Sequence, residues 1–196
     1  LVSVLAAASV PVIEDDLYKE LHFGAEHPDS LRRFDAQGLV ISCGSVSKTI
    51  ALGYRVGWAI SPAWARDIQR AKFFTSVAAP TLQQRVLARY FASGGYDRFL
   101  TGLRRMLAES AERFLDAIAS EFPAGTCVAR PAGGMVLWVR LPPGVDSMEL
   151  FRTALACRIG VMPGIVFSAK ADFRNYIRLN YGCGWSPEVA AAIKTL

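Results

Sequence analysis

Three short apolar runs, each followed by small or polar residues, place the strongest constraint on how this chain can fold. They span residues 10–14, 39–43 and 55–60. Continuous apolar runs of this length are typical of strands that are buried on both faces of an α/β sheet. In such sheets ligands bind at the carboxyl ends of the strands, which here carry Asp15, Ser45 with Lys48, and the turn after Ile60. The sequence therefore predicts an α/β fold with a ligand-binding edge.

Helical patterns follow the third run. The first predicted helix is opened by Ser61 and Pro62, which form an N-cap residue followed by a proline at the first helical position. The predicted helices cover residues 61–73, 81–93 and 96–122. The third is long and carries its apolar residues on one face, as expected of a helix that packs against a core.

A second group of strands and short helices begins after Pro123, and its last helix is opened by Ser186 and Pro187. This change of pattern predicts a separate, smaller α+β domain. We therefore expect residues 1–95 to be the remnant of one large domain. Residues 96–196 are expected to form the small domain, as a long linking helix followed by the α+β part.

The first residues favour a chain that begins inside a larger fold. The stretch LVSVLAAASVPVIEDD reads as the last turns of a helix that runs directly into a strand. Because this helix has no cap and no first turn, we expect a fragment. The stretch lacks the basic leader of a signal peptide, and no run of about eighteen uncharged apolar residues occurs, so we expect a cytoplasmic protein without a membrane span.

Composition argues against two further classes of function. The net charge is +5, but Arg105, Glu109 and Arg113 alternate in sign along one predicted helix, which is typical of a solvated face rather than of a surface that binds DNA. The four cysteines have no C-x-x-C spacing and the chain has only two histidines, so a zinc site is not expected.

The segment PVIEDDLYKEL places an acid and a phenol at the end of the first predicted strand. Asp15 follows the strand, and Tyr18 comes three residues later. Both would emerge at the carboxyl edge of the sheet, where they could contact a ligand. Solvated acids at a strand end are the alternative, because acidic side chains are usually exposed.

The segment CGSVSKTIALGYRVGWAIS places two cations and two hydroxyls around the second and third strands. Ser45, Ser47 and Lys48 follow one strand, and Arg55 begins the next. Such groups can bind a dianion, since charge-assisted hydrogen bonds to phosphate are about twice as strong as neutral ones. The amine of Lys48 can also attack a carbonyl group. A solvated lysine is again the alternative.

Together the two segments fit pyridoxal 5'-phosphate. Its aldehyde matches Lys48, its phosphate matches Ser45 and Arg55, its pyridinium nitrogen matches Asp15, and its phenolate oxygen matches Tyr18.

The pattern S-x-S-K-T-x-A-x-G-x-R-V-G-W, preceded by D-x-x-Y, resembles the fold-type I aminotransferases of class I/II. The whole chain resembles the C-terminal half of that aspartate aminotransferase-like fold. The resemblance implies that Lys48 forms the internal aldimine and moves a proton, that Asp15 pairs with the ring nitrogen, and that Tyr18 contacts the 3-oxygen. It implies that Ser45 and Arg55 hold the phosphate, with Ser47 as a weaker candidate.

A further arginine lies in the predicted small domain, within NYIRLNYG. The resemblance implies that Arg178 clamps the α-carboxylate of the substrate, for which a planar guanidinium is well suited. It also implies that Phe167 and Ser168, in MPGIVFSA, lie near the mouth of the substrate site. An exposed arginine at the rim of the domain is the alternative for Arg178.

The segments VIEDDLYKELHFG and DIQRAKFFTSVAAPTLQQ are most similar to the aminotransferase-like domains of MocR-type regulators of the GntR family. This resemblance implies an effector domain that binds an amino acid or amine, forms a homodimer, and contacts DNA only through a winged helix-turn-helix module outside this chain. A free-standing aminotransferase acting on amino acids and 2-oxo acids remains an alternative. A structural or dimerisation half-domain that carries no cofactor is a third.

Overall fold

The three predicted apolar runs form a three-stranded sheet in the computed structural model, which describes residues 1–196. The strands are β1 (Val12–Asp15), β2 (Val40–Ser45) and β3 (Gly57–Ile60), in the order β1-β2-β3. β1 pairs with β2 in parallel, and β2 pairs with β3 in the antiparallel direction. The sheet belongs to the first of two compact units, Leu1–Leu103 and Arg104–Leu196.

The direction of β3 corrects one prediction. Because β3 is antiparallel, Ile60 pairs with Ser42 and the turn after Ile60 lies at the opposite edge from the carboxyl ends of β1 and β2. The start of β3 instead lies beside the end of β2, where Gly57 pairs with Ser45. The physical reason is the short connection over residues 46–56, which permits an antiparallel return but not the crossover of a dozen or more residues that a parallel strand needs. Arg55 thereby reaches the polar edge.

Four α-helices begin in the first unit: α1 (Val2–Ala7), α2 (Ala65–Ser76), α3 (Thr81–Ala92) and α4 (Gly95–Glu121), the last of which ends in the second unit. The predicted start of α2 at Ser61 and Pro62 is wrong. Ser61 accepts a hydrogen bond from the Trp64 amide at 3.4 Å, which closes a turn before the helix begins. None of the helices combines the length and hydropathy that crossing a membrane requires.

The second unit contains a four-stranded antiparallel sheet in the order β4-β5-β7-β6. Its strands are β4 (Cys127–Val128), β5 (Val136–Arg140), β6 (Met162–Pro163) and β7 (Tyr176–Asn180), and its helices are α5 (Ser147–Ala156) and α6 (Pro187–Thr195). The predicted opening of the last helix by Ser186 and Pro187 is confirmed, since Ser186 Oγ accepts a hydrogen bond from the Val189 amide at 3.3 Å.

Alternation along β5 and β7 separates the two faces of this second sheet. One face is buried and carries Leu137, Val139, Ile177 and Leu179. Side chains from α4 are buried in the same unit, and Ser110 Oγ donates a hydrogen bond to the Tyr181 carbonyl at 2.9 Å. Successive strand residues point to opposite faces, so Trp138, Tyr176 and Arg178 lie on the other face, which remains partly exposed.

Tyr181 provides a test of this core. Its side chain is fully buried, and its hydroxyl donates a hydrogen bond to the Gly133 carbonyl at 3.2 Å. Tyr181→Phe is expected to lower the free energy of unfolding at neutral pH by about 1 kcal/mol, because the ring stays and only the hydrogen bond is lost. Denaturant titration of both proteins measures the difference.

The same variant has an expected pH dependence. Burial raises the pKa of Tyr181 from 10.0 to about 12. Between these values the phenol ionises in the unfolded chain but not in the folded one, so the wild type loses stability relative to Tyr181→Phe as the pH rises from 10 to 12. Tyr54→Phe is the control, because the Tyr54 side chain is half-buried and its hydroxyl makes no hydrogen bond. A pH-independent difference for Tyr181→Phe would contradict the expectation.

Candidate active site

Asp15 and Tyr18 lie at the carboxyl edge of the first sheet. Asp15 is the last residue of β1, its side chain is exposed, and its Oδ1 accepts a hydrogen bond from the Leu17 amide at 3.3 Å. The Asp16 amide donates to the Cys43 carbonyl at 2.9 Å, which holds the end of β1 against β2. Tyr18 follows in a short turn and is 40% exposed. Both predicted side chains are therefore available to a ligand at this edge.

Lys48 is held in a turn directly after β2. Its Nζ lies 5.5 Å from the centroid of the Tyr18 ring, so the structure brings these two predicted residues together. The neighbouring side chains of Val46 and Thr49 are buried, and the Tyr96 hydroxyl donates a hydrogen bond to Thr49 Oγ1 at 3.2 Å. Because residues on both sides of Lys48 are buried, its backbone is held in place by packing.

Ser45, Ser47 and Arg55 surround the same turn. Ser45 Oγ accepts a hydrogen bond from the Ser47 amide at 3.0 Å, and the Val46 amide donates to the Val56 carbonyl at 3.3 Å. Arg55 is exposed and adopts a left-handed backbone conformation, with φ 51° and ψ 36°. A non-glycine residue in this region costs about 1 kcal/mol or more, and such residues cluster at ligand sites.

Gly57 permits the close approach of β3 to the end of β2. A Cβ atom at this position would lie 2.9 Å from the Gly44 carbonyl oxygen and 3.2 Å from Ser45 Cβ. Any larger residue would therefore push β3 away from β2. The missing side chain keeps Arg55, two residues earlier, beside the Ser45 turn.

Glu14 is a structural residue of this site that sequence reasoning missed. Its carboxylate accepts hydrogen bonds from Ser30 Oγ at 2.6 Å, the Leu31 amide at 2.6 Å and Ser42 Oγ at 2.8 Å. Burial alone would raise the pKa of Glu14, but these hydrogen bonds outweigh it and hold the pKa below its ordinary value of 4.5. The sequence feature that could have identified Glu14 is its place as an acid inside an apolar strand. A carboxylate in such a place requires hydrogen-bond partners.

Glu14→Gln is expected to lower the free energy of unfolding by about 1 kcal/mol at pH 7, because an amide cannot accept hydrogen bonds at both terminal atoms. The folded-state pKa is depressed, so the stabilisation is present above pH 4.5 and is lost as the pH falls below that value. The difference between wild type and variant should therefore shrink in acid. Denaturant titrations at several pH values measure it.

Glu26→Gln is the matched control, because Glu26 is exposed and makes no such contacts. It should leave stability unchanged. Equal stability of wild type and Glu14→Gln at pH 7 would show that the three hydrogen bonds contribute nothing.

Arg178 lies in the second unit, whereas the other predicted site residues lie in the first. It is half-buried in β7, and its Cζ lies 4.9 Å from the centroid of the Phe167 ring. It has neither an ion-pair partner nor a side-chain hydrogen bond. Ser168, which follows Phe167, donates a hydrogen bond to Asp172 Oδ2 at 3.1 Å. The guanidinium of Arg178 is therefore free to bind an anion.

The side chains gathered at the first sheet fit pyridoxal 5'-phosphate. Lys48 carries an amine, Tyr18 a phenol and Asp15 a carboxylate, which are the groups that the aldehyde, the 3-oxygen and the ring nitrogen would require. Ser45 and Ser47 carry hydroxyls and Arg55 a cation, which are groups that would bind a phosphate. By contrast, no group of three or more His, Cys, Asp or Glu residues is placed to hold a metal ion.

Lys48 lies in the turn after β2, and Asp15 and Tyr18 lie at the end of the parallel strand β1. This arrangement is typical of α/β proteins of the aspartate aminotransferase-like class. The family model described as aminotransferase class I and II matches residues 1–196. The chain belongs to this family, which confirms the predicted fold class and implies pyridoxal 5'-phosphate as the cofactor.

Relatives include both regulators and enzymes. The HTH-type transcriptional regulator YdcR of Escherichia coli (strain K12) is 34% identical over 196 residues, which cover 100% of this chain and 42% of YdcR.

Among the solved structures that match are two with a TM-score of 0.90, each of which covers 98% of this chain. One is LysN, the α-aminoadipate aminotransferase of Thermus thermophilus complexed with N-(5'-phosphopyridoxyl)-L-leucine, at 31% identity and 50% of that chain. The other is the kynurenine aminotransferase of Pyrococcus horikoshii, at 29% identity and 48% of that chain. The chain thus spans half or less of the length of each of these relatives.

Proposed function

We propose that the chain is part of a pyridoxal-phosphate-binding effector domain in a MocR-type transcriptional regulator of the GntR family. The observation that carries this proposal is the 34% identity to an HTH-type transcriptional regulator along the whole chain. Such a domain binds an amino acid or amine and passes the binding energy to a DNA-binding module by a change of conformation. That module lies outside this chain.

Each predicted residue has a role in this proposal. Lys48 would hold the cofactor at its aldehyde and would hold or move a proton at its Nζ, while Asp15 would pair with the ring nitrogen and Tyr18 would contact the 3-oxygen. Ser45, Ser47 and Arg55 bind the phosphate, and Arg178 binds the carboxylate of the ligand. Bound pyridoxal phosphate supplies an electron sink for bonds at the ligand's α-carbon.

The proposal extends to domains and partners. Residues 1–95 belong to the large cofactor-binding domain, and residues 96–196 form the small domain. The protein acts as a homodimer in the cytoplasm, and its ligand is an amino acid or a related amine.

A free-standing aminotransferase is the second candidate function. It is favoured by the TM-score of 0.90 to two aminotransferases that cover nearly the whole chain. In that case the same residues complete a transfer of the amino group to a 2-oxo acid instead of only reporting that a ligand is bound.

Absorbance spectra of the full-length gene product test both functions. The protein is loaded with pyridoxal phosphate, its intact mass is measured, and its visible band is recorded before and after addition of a panel of amino acids. A shifted band without release of 2-oxo acid, on a protein long enough to contain a DNA-binding module, supports the regulator. Loss of the band with stoichiometric release of 2-oxo acid supports the enzyme.

A protein that shows no cofactor band at all would contradict both functions. It would leave the third interpretation, a structural or dimerisation half-domain in which Lys48 carries no cofactor.

A further inference from the structure

Arg178 is flanked by apolar side chains on the partly exposed face of the second sheet. In the strand register, Trp138 of β5 lies opposite Arg178 on one side and Met162 of β6 on the other. The Phe167 ring lies 4.9 Å from the guanidinium carbon. The half-buried guanidinium of Arg178 is therefore flanked by three large apolar side chains.

Two of these neighbours, Trp138 and Phe167, belong to one aromatic cluster. Trp138 stacks on Tyr176 with ring centroids 5.4 Å apart, and it meets Phe167 and Phe173 edge to face at 5.4 and 5.5 Å. We call this set the aromatic face; its members are Trp138, Met162, Phe167, Phe173 and Tyr176. The rings support one another, so their geometry is held without a ligand.

The aromatic face combines apolar side chains with one cation. Trp138 and Met162 lie opposite Arg178 in the strand register, and the Phe167 ring lies 4.9 Å from its guanidinium carbon. Large apolar groups beside a cation that has no partner match a ligand that has both a carboxylate and an apolar body.

A second cation, Arg140, lies on this face opposite Tyr176 in the register, and its Nη2 contacts Cys127 Sγ at 3.1 Å. The surface beside Arg178 itself consists of large apolar side chains. This surface favours a ligand with a large apolar side chain.

We propose that the aromatic face selects, among amino acids, those with an aromatic or large apolar side chain. This inference rests on the proposed function, in which Arg178 binds the ligand's carboxylate. The ligand's side chain packs on Trp138 and Phe167, and burial of an aromatic ring there strengthens binding roughly tenfold or more over a methyl side chain.

Spectroscopic titration of the full-length protein loaded with pyridoxal phosphate tests the selection. L-Phenylalanine should bind at least roughly tenfold more tightly than L-alanine or L-aspartate. Equal affinities for the three amino acids, or tighter binding of L-aspartate, would overturn the inference while leaving the proposed function standing.

Trp138→Ala locates the selection on the aromatic face. It should lower the ratio of L-phenylalanine affinity to L-alanine affinity to near one, and thermal unfolding shows whether the variant is folded. Trp138→Phe, which keeps an aromatic ring, should keep most of the preference. The control is Trp64→Ala, because Trp64 is 38% exposed but lies in the first unit. An unchanged preference in Trp138→Ala would overturn the inference.

An experiment without the cofactor distinguishes failure of this inference from failure of the proposed function. Cofactor-free protein labelled with 5-fluorotryptophan is titrated with 3-phenylpropanoate and with propanoate, and the Trp138 fluorine resonance is assigned from Trp138→Phe. The resonance should move at a concentration of 3-phenylpropanoate at least roughly tenfold lower than the concentration of propanoate that moves it. If it moves with neither, the inference is wrong, whether or not pyridoxal phosphate binds.

Discussion

Lys48→Ala is expected to abolish covalent attachment of pyridoxal phosphate to the protein while leaving it folded. Lys48 Nζ lies 5.5 Å from the Tyr18 ring, at the edge where Asp15 ends β1, and no other residue supplies an amine in this turn. Without that amine the aldehyde has no partner with which to form a covalent bond. Borohydride reduction followed by intact mass measurement should add one phosphopyridoxyl group to the wild type and none to the variant.

Lys19→Ala is the matched control for this experiment. Lys19 lies near the same edge but pairs with Asp16 at 3.2 Å, so its amine is engaged elsewhere. The control should retain the adduct, and thermal unfolding should show that both variants are folded. A reducible adduct that persists in Lys48→Ala would contradict the assignment of Lys48.

Arg178→Ala should weaken binding of amines that carry a carboxylate by roughly ten- to a hundredfold, with little effect on binding of pyridoxal phosphate. A hydrogen bond to a charged group contributes about 1.5–3 kcal/mol, and the free guanidinium of Arg178 has no internal partner that would compete for it. Titration with L-alanine and with ethylamine, which lacks the carboxylate, separates the two contributions. The loss should appear for L-alanine only.

Arg174→Ala provides the comparison for a rim arginine. Arg174 is largely exposed, and its Nη1 lies 3.8 Å from Asp146 Oδ2. Its removal should change neither titration, because exposed ion pairs contribute little. Equal losses of cofactor and ligand binding in Arg178→Ala would instead identify Arg178 as a structural residue.

The elements that depend on local pattern could be predicted from the sequence. The apolar runs of β1, β2 and β3 and the cap formed by Ser186 are local signals, since strand propensity and helix capping involve neighbouring residues. Their predicted burial on both faces is wrong, because β1 alternates and β3 is exposed along its length. The start of α2 could not be predicted in this way. Ser61 and Pro62 are suited to either a helix cap or a turn, and the choice depends on how the chain leaves β3.

The environment of the candidate site depended more on tertiary structure. Glu14 and Asp15 are adjacent acids in one strand, yet only Glu14 faces the hydrogen-bond donors Ser30 and Ser42. Ser30 and Ser42 are distant from Glu14 in sequence, so no local pattern identifies them. The aromatic face also draws on β5, β6, β7 and the turn at Phe167, which meet only after the second sheet has formed.

The sequence by itself determined the family, the cofactor it implies and the residue types that would bind it, because these follow from a motif of fixed spacing within a short stretch of chain. Tertiary structure alone decided that β3 runs antiparallel and places Arg55 beside Ser45, and that Arg178 has no acidic partner and lies among aromatic rings. The physical reason is that strand direction and charge pairing depend on contacts between segments that are distant in sequence. These contacts form only when the chain folds, so no local pattern in the sequence reports them.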